Sequence, residues 1–476
     1  MKREHKFLLI IFILALVIRV IFVYVEPIQV WDGTVYSNLG YDLSKNFLDY
    51  SFANNGWSDA MPWGGWPNAG FRPPVLPYSL SLVYLVGLGN FVKFFMSLIG
   101  ALSVVLIFFL AKEIFNKKVA LYSAIFLTLI PLHVIFSGKT LSGVYATFFI
   151  LLAMLCFWKT FEKGEKKYAP FFGIFFALAI LTRYTVLWIA LMFPIYFLIR
   201  NKSLSFLKNK YLWYSILAFF IVLIPWFLYG YFTYGNFLGA FIHGMQGASV
   251  GFPQPWYFFF ESSFVMFSVL SLVFLVSIIF VIYKNKLSDK KILFLLLWFF
   301  LFLGFAMFLP YKETRFLLPI VPALCLLSGF FIDKIKKYKK IILMGIIIVC
   351  FLQLVIHFGY VYKNSYTDTN KCFLEGNKFL KDVQKDALII TEASPVIYYY
   401  TKKETHFYPS PWGLESLNSL VEKHYDNREV YIFFTDYDMP LNDEEHIQIK
   451  YDLDTNFEKS FECYKDEAFS VIYRYS

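Results

Sequence analysis

The sequence predicts a multi-pass α-helical membrane protein of about eleven spans, with a small extracytoplasmic α/β domain at its C-terminal end. Three observations predict it. Hydrophobic residues make up 58% of the 476, and Asp, Glu, Lys and Arg only 16%, where a soluble domain carries about a quarter charged residues. Apolar runs long enough to cross a bilayer, roughly 20 residues each, recur over the first three quarters of the chain. The charge is also divided. Residues 362–476 hold 13 Lys and Arg against 21 Asp and Glu, a net of −8, so with an overall net charge of +10 the rest of the chain carries +18. Such a division separates a membrane part from a soluble part. No zinc-finger spacing or basic helix accompanies the positive charge, so no nucleic-acid partner is expected.

The expected spans are 7–25, 92–111, 119–136, 143–158, 169–182, 184–199, 211–230, 259–283, 291–309, 316–332 and 341–361. The first follows Met1-Lys2-Arg3 and has no small-residue cleavage site behind it, which predicts a retained helix and not a removed signal peptide. The region 74–90 is apolar but interrupted by Pro77, and reads as an interfacial or re-entrant helix. Alternate connections then collect 23 basic residues, from Lys2, Arg3 and Lys6 through Lys159, Lys163, Lys166 and Lys167 to Lys334–Lys340. The intervening loops are nearly free of them. The basic set marks the cytoplasmic face of the cell membrane, so the N-terminus is expected inside and the acidic tail outside. The division expected is a membrane domain, 1–361, that includes the outer loop 26–92, and a soluble domain, 362–476.

Three outer segments carry the candidate chemistry. The loop 26–92 is too long and too aromatic for an idle connector; it holds Trp31-Asp32-Gly33-Thr34-Val35-Tyr36 and, near its end, Phe71-Arg72-Pro73-Pro74. The second, 231–256, ends at Pro253-Gln254-Pro255-Trp256, and the third is the turn Pro310-Tyr311-Lys312-Glu313-Thr314-Arg315-Phe316. Ionisable groups at a span boundary are costly unless water, a partner or a ligand compensates them, which makes them site candidates. Asp32, Arg72, Lys139, Arg183, Lys312 and Arg315 all fall on the same outer side. Basic side chains converging near one carboxylate suit a phosphate site with a general base, because the Arg fork binds phosphate oxygens in pairs. The plain readings stand beside this one. Boundary Arg and Lys also snorkel to head groups, and Trp57, Trp63, Trp66 and Trp256 serve equally as interfacial aromatics.

These motifs, in this order, resemble those of the GT-C membrane glycosyltransferases that use polyprenyl-phosphate sugars. The likeness is greatest to the branch of dolichyl-phosphate-mannose protein mannosyltransferases and aminoarabinose (ArnT-like) transferases. It is carried by Asp32 with Tyr36, by Arg72-Pro73-Pro74 ahead of Ala111-Lys112-Glu113, by Leu181-Thr182-Arg183, and by the stretch from Pro310 to Pro322. The resemblance implies transfer of a single sugar, mannose being one candidate, from a polyprenyl- or dolichyl-phosphate lipid to a protein or lipid-linked acceptor on the extracytoplasmic face. Asp32 would be the catalytic base. Arg72, Lys312, Arg315 and Arg183 would bind the donor phosphate, with Tyr36, Glu313, Lys139 and Trp256 in support. The leaving group is already a phosphate ester, which needs electrostatic stabilisation more than protonation. No cofactor is required by this reading, and a divalent metal is compatible with it. The sequence departs from the family at Phe136–Gly143, which lacks the acid that many relatives carry in the second outer loop; Glu26, Asp42, Asp59 and Glu313 are the available substitutes. The double-tryptophan motif of oligosaccharyltransferase catalytic subunits is absent as well.

The tail alternates helical and strand-like runs: a helix over 369–381, strands at 387–391 and 430–434, an apolar run at 396–400, a helix over 414–422 and a closing run at 471–475. Without a glycine-rich phosphate loop, nucleotide binding is not expected. Cys372 and Cys463 both lie here, where an extracytoplasmic location permits a disulfide that spacing alone does not establish. Two other functions compete with transfer. A lipid or glycan transporter or flippase calls for internal repeats and polar breaks at mid-membrane, whereas the polar clusters here sit at the outer boundary. A non-catalytic glycan-assembly partner is favoured by the missing acid and opposed by the set of Asp32, Arg72 and Arg315.

Overall fold

The computed structural model describes residues 3–52, 69–247, 253–409, 412–424, 428–437, 443–465 and 468–475. The chain forms two compact units. The first comprises Met1–Val25, Gly70–Leu76 and Asn90–Gly359, and the second Glu26–Ala69, Pro77–Gly89 and Tyr360–Ser476.

Among the described residues eight helices are long and apolar enough to cross a membrane, and a ninth span is formed if Lys117–Leu129 and Pro131–Ser137, bent by 59°, count as one. The chain is a multi-pass membrane protein. Two of the eleven expected spans fall short of the length that crosses a bilayer, one of them, 169–182, with the bounds the sequence implied. Ala169–Thr182 is apolar throughout but has 14 residues, a rise of about 21 Å at 1.5 Å per residue, because Arg183 leaves the helix in an extended conformation. The run 259–283 is divided into Phe258–Glu261, Ser263–Phe267 and Leu270–Tyr283, the last break falling at Ser268 with φ +58°. The segment Val75–Leu85 is an 11-residue helix, too short to span. Thr314–Lys334 is the most enclosed of the eight, with 89% of its apolar window buried, while Lys210–Tyr234 and Lys339–Ser365 are each 17% buried and present their side chains outward.

The bend at Pro131 has a specific cause. Proline has no N–H to donate back to Leu127, four residues earlier, and in an apolar interior an orphaned carbonyl is expensive. Arg19, fully buried in the helix Arg3–Val25, supplies the missing donor: its Nη2 reaches the Leu127 carbonyl at 3.0 Å. The same guanidinium donates to the Ala15 carbonyl at 2.9 Å, to Ser137 Oγ at 3.2 Å and to His133 Nδ1 at 2.9 Å. Arginine is a donor only, so Nδ1 of His133 must accept and its ring proton resides on Nε2. Gly100 leaves the space for this cluster, since a Cβ there would come within 2.3 Å of Ser137 Oγ and 2.9 Å of Arg19 Nε.

In the second unit five strands form one sheet: β1 (Leu388–Thr391), β2 (Thr405–His406), β3 (Val430–Thr435), β4 (Glu458–Lys465) and β5 (Ala468–Tyr475), in the order β2-β1-β3-β5-β4. β1 runs parallel to β2 and β3, and the β3-β5 and β5-β4 pairs are antiparallel. Alternate residues face two separate cores. Leu388, Ile390, Val430, Ile432 and Phe434 meet Leu417 and Ile449 from the helices Leu414–His424 and Asp443–Asn456. Ile389, Tyr431 and Phe433 meet Phe373, Leu380 and Val396 from Asp368–Asp382 and Ser394–Thr401. Burial on both faces is why these strands read as unbroken apolar runs. The run 396–400 is part of a helix, and the outer strand β4, largely exposed and polar, has no such signal in the sequence. Cys372 and Cys463 are joined in a disulfide with Cα atoms 5.5 Å apart, tying the helix Asp368–Asp382 to β4.

Replacing Arg19 by Met is expected to destabilise the detergent-solubilised protein by about 1–3 kcal/mol, the cost of a buried acceptor left unsatisfied. Adding Pro131→Ala, which restores an N–H opposite Leu127, recovers part of that loss in a thermal melt. A double variant no more stable than Arg19→Met would refute the backbone-repair account.

Candidate active site

The turn from Pro310 to Phe316 lies in the first unit. Gln254 donates its backbone N–H to the Pro310 carbonyl at 2.9 Å, and Pro253 bridges Tyr311, so the end of segment 231–256 is paired with this turn. Lys312 is held by this pairing. Its ammonium is buried and donates to the Gln254 carbonyl at 2.9 Å and to the Leu309 carbonyl at 2.5 Å; burial lowers its pKa from the ordinary lysine value. Arg315 is ion-paired to Glu313, its Nη2 donating to Oε1 at 2.6 Å and its Nε lying 2.5 Å from Oε2, and the Tyr311 hydroxyl donates to the same carboxylate. Phe316, next in the chain, carries the Arg183 guanidinium over its ring at 4.9 Å, and Arg183 Nε donates to Thr185 Oγ1 at 3.2 Å. The start of the helix Ser142–Phe157 packs on the same turn, Gly143 lying against Leu318. Lys139, three residues before that helix, has its ammonium 5.6 Å from the Phe136 ring centre.

Arg72 enters through its neighbour Gly70. The Gly70 carbonyl accepts from Tyr184 Oη at 3.1 Å, and Trp226 Nε1 donates to that hydroxyl at 2.8 Å. Gly70 and Gly244 are both packed too closely for a side chain: a Cβ on Gly70 would meet Tyr234 Oη at 2.6 Å, and one on Gly244 the Tyr184 ring at 2.2 Å. Arg72 and Arg183 therefore each stand within two residues of one hydrogen bond, Gly70 to Tyr184. The Arg72 guanidinium lies 5.0 Å from the Phe71 ring centre. Trp256 is largely exposed, consistent with an interfacial ring.

Asp32 belongs to the second unit. It is in the first turn of the helix Trp31–Lys45, at the positive end of the helix dipole, a position that favours a carboxylate. Trp31 packs against Phe407 and the sheet core, Thr34 Oγ1 donates to the Trp31 carbonyl at 2.6 Å, and Tyr36 is buried. A cavity of about 350 Å³ in this unit is lined by Glu26, Gln29, Val30, Asn364, Asn370 and Tyr437 among others. Val30 is two residues before Asp32.

Of the acids considered as substitutes, Glu313 is engaged by Arg315 and Tyr311, and Asp42 is buried and accepts from Tyr398 Oη. Asp59, with Trp57, Trp63 and Trp66, lies outside the described residues. Among the described residues no three His, Cys, Asp or Glu side chains gather as a metal site. Sequence reasoning found the charged members of the turn but not what holds them. The carbonyls of Gln254 and Leu309 and the hydroxyl of Tyr184 leave no motif, because any residue supplies a carbonyl and a tyrosine in an aromatic-rich chain is unremarked.

The fold is shared with solved membrane glycosyltransferases. ArnT from Cupriavidus metallidurans bound to undecaprenyl phosphate superposes with a TM-score of 0.75 over 98% of this chain and 97% of its own, at 10% identity. The Archaeoglobus fulgidus oligosaccharyltransferase tethered to an acceptor peptide gives 0.61 over 99% of this chain and 74% of that one, at 13% identity. The same organism's oligosaccharyltransferase AglB, in complex with an inhibitory peptide and a dolichol-phosphate, gives 0.59 at 13% identity, over 99% and 74% of the two chains. No curated protein matches the chain. A model of the Alg9-like mannosyltransferase family matches residues 46–411, beginning after Asp32 and Tyr36. That match covers most of the sequence, and the protein is a GT-C-type membrane protein belonging to the Alg9-like mannosyltransferase family.

Proposed function

We propose that this chain is an inverting glycosyltransferase that moves one sugar, mannose being the first candidate, from a polyprenyl- or dolichyl-phosphate donor to a protein or lipid-linked acceptor. The observation that carries the reading is the turn from Pro310 to Phe316. There Lys312 spends two of its three N–H bonds on the Gln254 and Leu309 carbonyls, leaving one for a phosphate oxygen. Arg315 is held rigidly by Glu313 in the same turn. A preorganised cation costs no reorientation when charge develops on a leaving phosphate.

In the reaction, Asp32 takes the proton of the acceptor hydroxyl as that oxygen attacks the anomeric carbon. The bond from that carbon to the phosphate oxygen breaks, the polyprenyl phosphate departs with its electron pair, and the configuration inverts. Arg72, Arg183, Lys312 and Arg315 take up the phosphate charge; Tyr36, Glu313, Lys139 and Trp256 support them. The cavity lined by Val30, Glu26 and Asn364 supports an acceptor route toward Asp32. Placement of the C-terminal domain outside the cell membrane, with the N-terminus inside, is supported by the Lys and Arg asymmetry and by the Cys372–Cys463 disulfide, which belongs in an oxidising compartment.

Purified protein in nanodiscs, given radiolabelled polyprenyl-phosphate sugars and native acceptor membranes, is expected to transfer label. Asp32→Asn should lower turnover about a hundredfold or more, the usual worth of a general base, while still binding the donor lipid. Undiminished transfer by Asp32→Asn would remove it as the base. Lys312→Met is expected to weaken donor binding about tenfold or more, as the loss of a charge-assisted hydrogen bond predicts. Unchanged donor affinity in this variant would remove the turn as the phosphate site. Single cysteines replacing Lys336 and Glu415 should react with a membrane-impermeant reagent from opposite sides of sealed vesicles. Labelling from one side would overturn the orientation.

A further inference from the structure

The helix that carries Asp32 is anchored within its own unit by a cluster of groups that the transfer reaction does not use. Three polar links join it, or the residues just before it, to the helix Ser394–Thr401 of the C-terminal domain and its flank. Asn38 Nδ2 donates to the Pro395 carbonyl at 2.7 Å, the Gln29 backbone N–H donates to Tyr400 Oη at 3.1 Å, and Tyr398 Oη donates to the buried Asp42 carboxylate. Gly40 completes the fit, since a Cβ there would meet Leu80 at 2.6 Å.

Beside Asp42 lies Lys402. Its ammonium nitrogen is buried and makes no hydrogen bond. It stands 4.5 Å from the Tyr41 ring centre, 4.8 Å from Tyr399, and 5.6 Å from both Tyr84 and Tyr398. Four rings around one ammonium are a cation–π cage, drawn from the Asp32 helix, the helix Val75–Leu85 and the helix Ser394–Thr401. The backbone of Lys402 is left-handed, with φ +57°, and its N–H bonds the Tyr398 carbonyl, so it closes the C-terminal end of the helix Ser394–Thr401.

We propose that the Asp42, Tyr398 and Lys402 cluster is the coupling by which the C-terminal domain aims the helix bearing Asp32, which makes Lys402 and Tyr398 positioning residues for the transfer. The inference rests on the reading of Asp32 as base. It assigns the C-terminal domain a mechanical part in catalysis beyond capping the fold.

The cluster also makes the coupling respond to pH. The groups facing Lys402 are Tyr41, Asp42 and Lys45 on the Asp32 helix, Tyr84 on Val75–Leu85, and Tyr398 and Tyr399 on its own helix. Burial first, opposed by Asp42 and helped by Lys45, brings the Lys402 amine down to about 7. In an opened cluster the amine regains its ordinary value near 10.5. The open form therefore binds more protons between those two values, and the closed packing is favoured as pH rises from about 7.

The test uses the full chain in nanodiscs and two readouts, hydrogen exchange of residues 31–45 and transfer kinetics. Tyr398→Phe keeps the ring and removes the donor to Asp42. It is expected to speed exchange in 31–45 about tenfold, in line with one lost hydrogen bond to a charged group, and to lower kcat while KM for the donor lipid stays within about twofold. Lys402→Met replaces the neutral amine by an isostere. Wild-type protection of 31–45, corrected for intrinsic exchange, should rise between pH 6 and 9, and in Lys402→Met it should be high and flat. Unaltered exchange in Tyr398→Phe would overturn the coupling whatever Asp32 does. Altered exchange with unaltered kcat, in a protein that Asp32→Asn inactivates, would overturn the positioning role and leave the base intact. A pH response that persists in Lys402→Met would exclude Lys402 as its source. Full turnover by Asp32→Asn would remove the proposed base, and the positioning role with it.

Discussion

The hydrogen bond from Arg19 to the Leu127 carbonyl allows a proline to break an apolar helical run inside the first unit. In hydrocarbon every backbone group must find a partner, so a break in a helix is tolerated where another part of the protein repairs it. Here the repair comes from a guanidinium that also binds Ser137 and His133, on the far side of the break. With the bend of 59° secured, the chain turns through Gly138, which itself lies against Phe22, and enters the helix Ser142–Phe157 where Gly143 meets Leu318. That contact sets the helix against the turn bearing Lys312, Glu313 and Arg315. A buried arginine is a costly way to satisfy a carbonyl; among the described residues no carboxylate accompanies it, so its hydrogen bonds to carbonyls, a hydroxyl and an imidazole carry the whole compensation.

The outer turns obey the same rule at a lower cost. Lys312 is compensated by carbonyls, Arg315 by Glu313, and Arg183 by a threonine hydroxyl and the face of Phe316. These contacts hold the three cations against carbonyls, a carboxylate and a ring, unlike side chains that snorkel freely to the head groups. In the second unit the logic is inverted. Asp42 and the Lys402 side-chain nitrogen are buried among tyrosines, where they join two helices.

Identity of 10% to the ArnT structure alongside a TM-score of 0.75 shows how little of the sequence this fold requires. A lipid-facing side chain need only be apolar, so many sequences satisfy the same helix packing. The family match, by contrast, extends over 46–411, through most of the loop and into the C-terminal domain.

Composition and charge pattern determined much of this protein without a structure. Burial in a bilayer demands long apolar runs and a soluble domain a higher share of charge, so the multi-pass class and the soluble tail were both legible. The two-sided strands at 388–391 and 430–435 were legible for the same reason, because complete burial leaves no polar residue in the run. The tertiary structure decided everything that depends on a partner distant in the chain. It made the 119–136 run a bent pair and divided 259–283 at Ser268. It also brought Gln254 to Lys312, and set Tyr398 on Asp42 across 356 positions. A carbonyl acceptor, a ring face or a neighbouring helix has no signature in the residue it stabilises, so each of these contacts required the folded chain to find.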